Sequence, residues 1–198
     1  MLQLEQICHR LTQYQPRTLA DPQLQPAAVA MLLRRTESDT EVLLIKRAEH
    51  ERDPWSGDLG FPGGRIETQD SGPRAAAERE TAEEIGLQLS PKNYLGRTDD
   101  LCGAYLSVCV SCFVYQVDTH VDFTLNAEVV DLFWVPLRTL LDPRRNRMEN
   151  FAYRGSDRHH PIVELREWSE RPLWGITYRL LGDFLHLFDL SFSHPERL

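Results

Sequence analysis

The stretches Phe61-Pro62-Gly63-Gly64 and Arg79-Glu80-Thr81-Ala82-Glu83-Glu84-Ile85-Gly86-Leu87 decide both the fold and the chemistry of this chain. Pro73, between them, suits the first turn of a helix, and Gly86 suits the position just past a helix end. The sequence therefore predicts a loop with a glycine pair, followed by a helix over residues 73–85.

The predicted helix carries a cluster of carboxylates on one face. Glu80 and Glu84 are four residues apart and share that face, with Glu83 beside them. The opposite face is expected to pack against the sheet through Ala75, Ala82 and Ile85. Like charges at this spacing destabilise a helix by roughly 0.3 kcal/mol per pair, whereas a divalent cation reverses the repulsion. Oxygen ligands suit Mg²⁺ or Mn²⁺ better than zinc. Such acidic faces are also common on solvated helices, so the preceding loop must decide between the two interpretations.

The glycine pair supplies the second part of a phosphate site. Gly63 and Gly64 allow close approach of the backbone to a ligand, and we expect their amides to be free for phosphate oxygens. Arg79 can orient a neighbouring carboxylate through paired hydrogen bonds. A glycine loop followed by a carboxylate helix is the arrangement expected for a metal-bridged diphosphate.

These residues resemble the signature of the Nudix family. That signature is a glycine, five residues, an acid, seven residues, and then Arg-Glu, an apolar residue, any residue, Glu-Glu, any residue, glycine and an apolar residue. Gly64 is followed here by five residues, Asp70, eight residues and then the run from Arg79 to Leu87. Three departures stand out: Asp70 replaces the usual glutamate, the gap to Arg79 is one residue longer, and Thr81 occupies a position that is normally apolar.

The resemblance implies an α/β fold, the Nudix α/β/α sandwich with a mixed β-sheet between helices. It also implies hydrolysis of a diphosphate linkage in a nucleotide-type small molecule, with Mg²⁺ or Mn²⁺ as cofactor. The residues that it assigns to metal binding are Glu80, Glu83, Glu84 and Gly64. Those that it assigns to catalysis are Glu83, Glu84, Arg79 and Glu128, the last being an acid from outside the helix. The expected substrate-binding residues are Arg47, Phe61, Gly63 and Trp174.

The apolar pattern along the rest of the chain predicts a mixed sheet, because strands and helices do not alternate strictly. The predicted elements are a helix over residues 2–14, strands over 27–34, 41–47, 106–117 and 131–135, and an amphipathic last helix from residue 173 to 188. The first two strands are expected to form a hairpin. The first helix is expected to be buried along a stripe of Leu4, Ile7, Cys8 and Leu11. We divide the chain into an N-terminal helix and linker, 1–26, and a Nudix hydrolase domain with a C-terminal helix, 27–198. Residues 144–168 show no readable pattern.

Charge and cysteine usage narrow the class of partner. The net charge of −8 argues against nucleic acid, because binding to phosphate backbones needs a basic patch. We expect no membrane span, since no apolar run approaches about 18 residues. Four cysteines without a secretory leader favour a cytoplasmic protein with reduced thiols. Cys109 and Cys112 lie three apart in a predicted strand, so they point to opposite faces and are not expected to share a metal.

The upstream loop leaves the substrate open. The box resembles that of the coenzyme A pyrophosphatase branch in its Phe-Pro-Gly-Gly, its Asp and its extra residue, which indicates coenzyme A or its thioesters. Asp58 stands where that branch has a glutamine, and no histidine lies near Gly57, so ADP-ribose or a nucleoside diphosphate sugar is the alternative. A third reading is a non-catalytic nucleotide-binding domain, which the three box glutamates disfavour. The family resemblance also suggests a homodimer.

Overall fold

A mixed β-sheet lies between two layers of helices. The computed structural model describes residues 2–19, 21, 23–50, 55–102, 107–153 and 156–193. The helices are α1 (Leu4–Gln13), α2 (Pro73–Ile85), α3 (Leu137–Leu140) and α4 (Gly175–His186). The strands are β1 (Gln25–Arg35), β2 (Thr40–Arg47), β3 (Leu59–Gly60), β4 (Gly63–Arg65), β5 (Tyr94–Arg97), β6 (Leu101–Cys102), β7 (Val108–Gln116), β8 (Val129–Pro136), β9 (Asn146–Tyr153) and β10 (Ser156–Val163).

The main sheet combines parallel and antiparallel pairs. Strand β1 runs parallel to β7 from the Gln25–Val108 pair to the Leu33–Gln116 pair, and antiparallel to β2 and β4. Strand β8 pairs antiparallel with β2, and both β5 and β6 pair antiparallel with β7. The predicted hairpin of β1 and β2 and the predicted mixed sheet are therefore confirmed.

Alternating side chains of the central strands fill two separate core layers. On β1, Met31 and Leu33 lie in the layer that contains α1 and α4, whereas Ala30 and Leu32 lie in the layer that contains α2. The same alternation runs along β2 and β7, because successive side chains of a strand point to opposite faces. Helices thus cover both faces of the sheet, and the expected sandwich is confirmed.

The helix α2 begins and ends where the sequence predicts, but it packs through a different stripe. Pro73 opens it, and Gly86 ends it in the left-handed region at a φ of 72°. We expected Ala75, Ala82 and Ile85 to face the sheet. Besides Ile85, the buried apolar positions are Ala76 and Ala77. The stripe is rotated because Glu84 is buried as well, which turns the carboxylate side of the helix toward the sheet rather than toward solvent.

The departure at Thr81 has a local explanation. Thr81 is fully buried, and its hydroxyl donates a hydrogen bond of 2.6 Å to the carbonyl oxygen of Ala77, one turn earlier. This bond satisfies the hydroxyl inside the helix. A threonine can therefore occupy the normally apolar position without leaving a buried polar group unpaired.

The terminal helices pack against the face of the sheet opposite α2. Leu4, Ile7 and Leu11 of α1 are buried in that layer, whereas Cys8 is exposed although it was expected on the same stripe. The buried residues of α4 are Thr177, Tyr178, Leu180, Leu181, Phe184 and Leu185. Within the part of the chain that the structure describes, no helix is long and apolar enough to cross a membrane.

Residues 144–168 contain an antiparallel hairpin, β9 and β10, outside the main sheet. Its register runs from the Asn146–Val163 pair to the Tyr153–Ser156 pair. Charged and polar residues occupy most positions of these strands, so the alternating apolar pattern that reveals a strand is absent. This is why the region gave no readable pattern in the sequence.

Candidate active site

The pairing of β4 with β1 fixes the glycine pair at the edge of the site. Gly63 lies opposite Val29, and Gly64 lies opposite Ala28. A Cβ atom on Gly63 would lie 2.4 Å from the carbonyl oxygen of Ala28, and its φ of +151° is rarely adopted by other residues. Only glycine therefore fits at this position.

Gly64 makes room for the first glutamate of the box. A Cβ atom on Gly64 would lie 2.5 Å from both the carboxyl carbon and Oε1 of Glu80. A side chain at position 64 would therefore collide with the Glu80 carboxylate. Burial raises the pKa of Glu80, although its neighbour Arg79 opposes that effect.

The carboxylate of Glu84 is the most buried acid of the box. Its side chain is 1% exposed. The amide of Gly63 donates to Oε2 at 2.8 Å, and Nη1 of Arg47 donates to Oε1 at 3.3 Å. Burial raises the pKa of Glu84 to about 7, and the charges of Glu80 and Glu128 add to the rise while Gly63 and Arg47 oppose it.

This contact corrects one expectation. The amide of Gly63 was expected to be free for phosphate oxygens, but it donates to Glu84. The reason is that the helix turns Glu84 toward the sheet, where the Gly63 N–H satisfies a buried carboxylate oxygen that would otherwise lack a donor. Gly63 therefore positions a glutamate in this structure.

Arg79 connects three carboxylates around the site. Its Nε and Nη2 atoms each donate to an oxygen of Asp70 at 3.0 Å. Its Nη1 atom donates to Glu80 at 2.9 Å and to Glu83 at 3.2 Å. The paired bond from Arg79 is the main reason that the pKa of Asp70 lies below its usual value. Asp70 thus anchors Arg79, which in turn orients Glu80.

Glu83 lies at the rim of the site. Its side chain is 56% exposed, and its described partner is Arg79. An exposed carboxylate next to two more buried ones remains accessible to water. The structure therefore brings Glu83 to the site, but not into the buried part that holds Glu84.

Glu128 approaches the box from the loop before β8. The amide of Ala48 donates to the Glu128 carbonyl at 2.8 Å, which ties this loop to the end of β2. The charge of Glu128 contributes to the raised pKa values of both Glu80 and Glu84, so its carboxylate is close enough to interact with them. The expected acid from outside the helix therefore lies beside the box.

Asn126 holds this loop in place and was missed in the sequence. Its amide donates to the carbonyl of Glu84 at 3.0 Å, and its side-chain oxygen accepts from the amide of Glu128 at 2.8 Å. An asparagine two residues before a loop acid is the signal of an Asx turn, and could have identified it.

The donor set fits a hard divalent cation. Four carboxylates (Glu80, Glu83, Glu84 and Glu128) gather around one end of β4, and all offer oxygen, which Mg²⁺ and Mn²⁺ prefer. Within the described residues, no three acidic, histidine or cysteine side chains already converge on a single point. Arg79 and Arg47 explain this, because they draw the carboxylates toward themselves.

The other expected substrate contacts differ in their surroundings. Arg47 reaches Glu84 from the end of β2 and remains partly exposed. Phe61 is only 4% exposed and packs in the core layer of α1 and α4. A substrate contact of Phe61 stays a prediction, and the burial of its ring leaves little surface for a ligand.

Trp174, just before α4, contacts the loop that precedes the glycine pair. Its indole N–H donates to Oδ1 of Asp58 at 3.0 Å, and its ring packs edge-on against His160, with centroids 5.3 Å apart. Asp58 stands at the position where the sequence departs from the coenzyme A branch. The motif just upstream, Asp53-Pro54, lies outside the described residues.

Comparison with known proteins identifies the family. The sequence model of the NUDIX domain matches residues 24–154. A probable Nudix hydrolase of Schizosaccharomyces pombe is 32% identical over 81% of this chain, although the chain spans only about half (55%) of that relative's length. The uncharacterized Nudix hydrolase NudL of Yersinia enterocolitica is 29% identical over 87% of this chain and 85% of its own.

A solved structure supports the same fold. The crystal structure of a MutT/nudix family protein from Enterococcus faecalis covers 93% of this chain and 69% of that chain, with a TM-score of 0.59 and 13% identity. Because the family model covers more than half of the chain and the signature residues gather at one site, the chain belongs to the NUDIX domain family.

Proposed function

We propose that this chain is a divalent-cation-dependent hydrolase that cleaves the diphosphate linkage of a nucleoside diphosphate derivative. The observation that carries the proposal is the buried carboxylate of Glu84, whose pKa is raised to about 7 beside Glu80 and Glu128. A protein does not keep adjacent carboxylates desolvated for stability, because each costs free energy when charged. A bound cation offsets that cost.

The mechanism assigns separate tasks to the residues of the site. Glu80 and Glu84 would hold the cation, and Gly64 leaves space for Glu80. A divalent cation supplies charge neutralisation for the diphosphate and acidifies water. Arg79, anchored by Asp70, keeps Glu80 in position for this role.

Two carboxylates compete for the role of general base. Glu83 is exposed and remains accessible to water, and Glu128 reaches the site from a separate loop. Either could accept the proton of the attacking water, while Arg47 beside Glu84 would offer positive charge to the phosphates. Single substitutions separate them, since loss of the base lowers kcat and flattens the acidic limb of the pH profile.

For the substrate, we propose coenzyme A or its thioesters as the first candidate. It is supported by the resemblance of Arg47 and of the loop Phe61–Gly64 to the coenzyme A branch. ADP-ribose or a nucleoside diphosphate sugar is the second candidate. It is supported by Asp58, which stands at the glutamine position of that branch and is held by Trp174. The loop that contains Asp58 is thus bonded to Trp174, the residue that precedes α4.

The test is a substrate panel with Mg²⁺ or Mn²⁺, with products separated by chromatography. The panel contains coenzyme A, an acyl-coenzyme A, ADP-ribose, UDP-glucose and a diadenosine polyphosphate. Glu84→Gln is the inactive variant, and Glu37→Gln, in an exposed turn, is the matched surface control. Cleavage that needs the cation and is lost only in Glu84→Gln supports hydrolysis. Binding without cleavage would instead support a nucleotide-binding domain.

We also propose that the chain works on small molecules in the cytoplasm, as a homodimer. The net charge of −8 supports a small-molecule substrate over nucleic acid. All four cysteines are free thiols, which is typical of a reducing compartment. Light scattering at micromolar concentration tests the dimer, and a monomer mass would remove that part of the proposal.

A further inference from the structure

Two cysteines that the proposed chemistry does not use face each other across the sheet. Cys102 on β6 is the direct antiparallel partner of Cys109 on β7. Both are free thiols that are partly exposed. The sequence drew attention to Cys109 and Cys112, but the fold pairs Cys109 with Cys102 instead.

The backbone geometry suits a covalent bond between these two sulfurs. Directly opposed residues of antiparallel strands have Cα atoms about 4.5–5.5 Å apart, which lies within the roughly 4.4–6.8 Å range of disulfides. The other two cysteines lack this arrangement. Cys112 is buried in the core layer of α1 and α4, and Cys8 is exposed on α1. They serve as internal controls within the same chain.

We propose that Cys102 and Cys109 form a site of oxidative modification, at which a low-molecular-weight disulfide converts the two thiols into an intramolecular disulfide. One protein thiolate attacks the small disulfide and expels one small thiolate, giving a mixed disulfide. The second protein thiolate attacks the mixed disulfide and expels the other small thiolate. The protein loses two electrons and two protons, and the small disulfide is reduced to two thiols.

The surroundings of Cys109 set the order of the two steps. Burial raises the pKa of Cys109 to about 12, helped by the neighbouring Cys102 and by the charges of Asp100 and Asp21. The Cys109 thiol therefore stays protonated near neutral pH and is a poor first nucleophile. Cys102 reacts first, and Cys109 closes the ring, because it is the direct partner of Cys102 on the neighbouring strand.

Ring closure would tie two strands near α4. The guanidinium of Arg179, on α4, donates to the carbonyl oxygen of Cys102 at 3.2 Å. The disulfide would close a short loop between β6 and β7 and thereby restrict the unfolded chain. We expect the oxidised protein to unfold about 5 °C higher than the reduced protein.

The experiment equilibrates the full chain in glutathione buffers of increasing oxidation, traps free thiols by alkylation, and maps peptides by mass spectrometry. The expected result is a peptide pair cross-linked through Cys102 and Cys109, reversed by dithiothreitol. It should persist in Cys8→Ser and disappear in both Cys102→Ser and Cys109→Ser. In Cys109→Ser, glutathione should remain attached to Cys102.

Three results would overturn the proposal. One is four alkylated thiols in the most oxidising buffer, and another is a cross-link that involves Cys8 between two chains. The third is a lasting glutathione adduct on wild-type Cys102 without ring closure. Mapping of the wild-type chain decides the question even where a serine variant folds poorly. Circular dichroism of the reduced variants checks that their fold is intact.

Discussion

Glu84→Gln should stabilise the cation-free protein at pH 8 while it abolishes hydrolysis. The carboxylate is 1% exposed and is charged at this pH, because its pKa is about 7. Glutamine has nearly the same shape but no charge, so the desolvation cost disappears. Its carbonyl oxygen can still accept the bond from the amide of Gly63.

The size of the effect follows from the pKa. A pKa of about 7 in place of 4.5 corresponds to roughly 3 kcal/mol of unfavourable free energy for the charged form. The opposing attraction of Arg47 is already contained in that net shift. Removal of the charge should therefore stabilise the fold by about 3 kcal/mol and raise Tm by about 9 °C in a chain of this length.

The dependence on pH separates this effect from ordinary repacking. Because the folded state holds the Glu84 proton between pH 4.5 and about 7, wild-type stability falls as pH rises through that window. The advantage of Glu84→Gln should therefore be small near pH 5 and complete above pH 7. Glu83→Gln is the matched control, since its side chain is 56% exposed and should change Tm little.

The assay is thermal unfolding in EDTA at pH 5, 6, 7 and 8, followed by circular dichroism. A Glu84→Gln variant that is less stable than the wild type at pH 8 would refute the argument. So would an advantage that stays constant from pH 5 to pH 8, because it would then not come from the charge.

Three further substitutions test separate parts of the site. Gly64→Ala should lower kcat about 100-fold without a comparable loss of Tm, because its Cβ would displace the Glu80 carboxylate, 2.5 Å away. An unchanged kcat would contradict the close approach of Gly64 to Glu80. Trp174→Phe removes the bond to Asp58 and should raise KM several-fold more than it lowers kcat, and equal changes would show a general structural role. Thr81→Val should change the free energy of unfolding in urea by less than about 1 kcal/mol, because the Ala77 carbonyl keeps its helical partner, and a loss above about 2 kcal/mol would contradict this.

A proline at its start and a glycine after its end made the helix α2 predictable. Pro73 and Gly86 bound α2 as expected. Periodicity also gave the hairpin of β1 and β2 and the last helix. These features depend on residues that are close together in the chain, and so they can be inferred from a single sequence.

The rotation of a helix about its axis, which determines the face that it buries, was not predictable in the same way. The helix α2 buries Ala76 and Ala77 rather than Ala75 and Ala82, because the helix is rotated so that Glu84 is buried as well. For the same reason, the amide of Gly63 donates its hydrogen bond to the buried carboxylate of Glu84. A sequence shows which residues are charged, but not which charge the fold encloses.

Long-range pairs and short strands were missed for a different reason. Asp58 and Trp174 are 116 residues apart in the chain, and no local pattern connects them. Strands β3 to β6 have two to four residues each, too few for a period to be recognised. The β9–β10 hairpin lacks alternating apolar residues and was therefore not predicted.

The most direct test of the proposed function is the cation dependence of turnover in wild type and Glu84→Gln under identical conditions. The rate of product formation from coenzyme A and from ADP-ribose is measured across a Mn²⁺ titration at pH 8, with the folded state of each variant checked by circular dichroism. We predict saturable, EDTA-sensitive cleavage of at least one substrate by the wild type and no detectable cleavage by folded Glu84→Gln. Equal turnover in the two proteins, or cleavage that persists in EDTA, would contradict a cation site built on the buried glutamate.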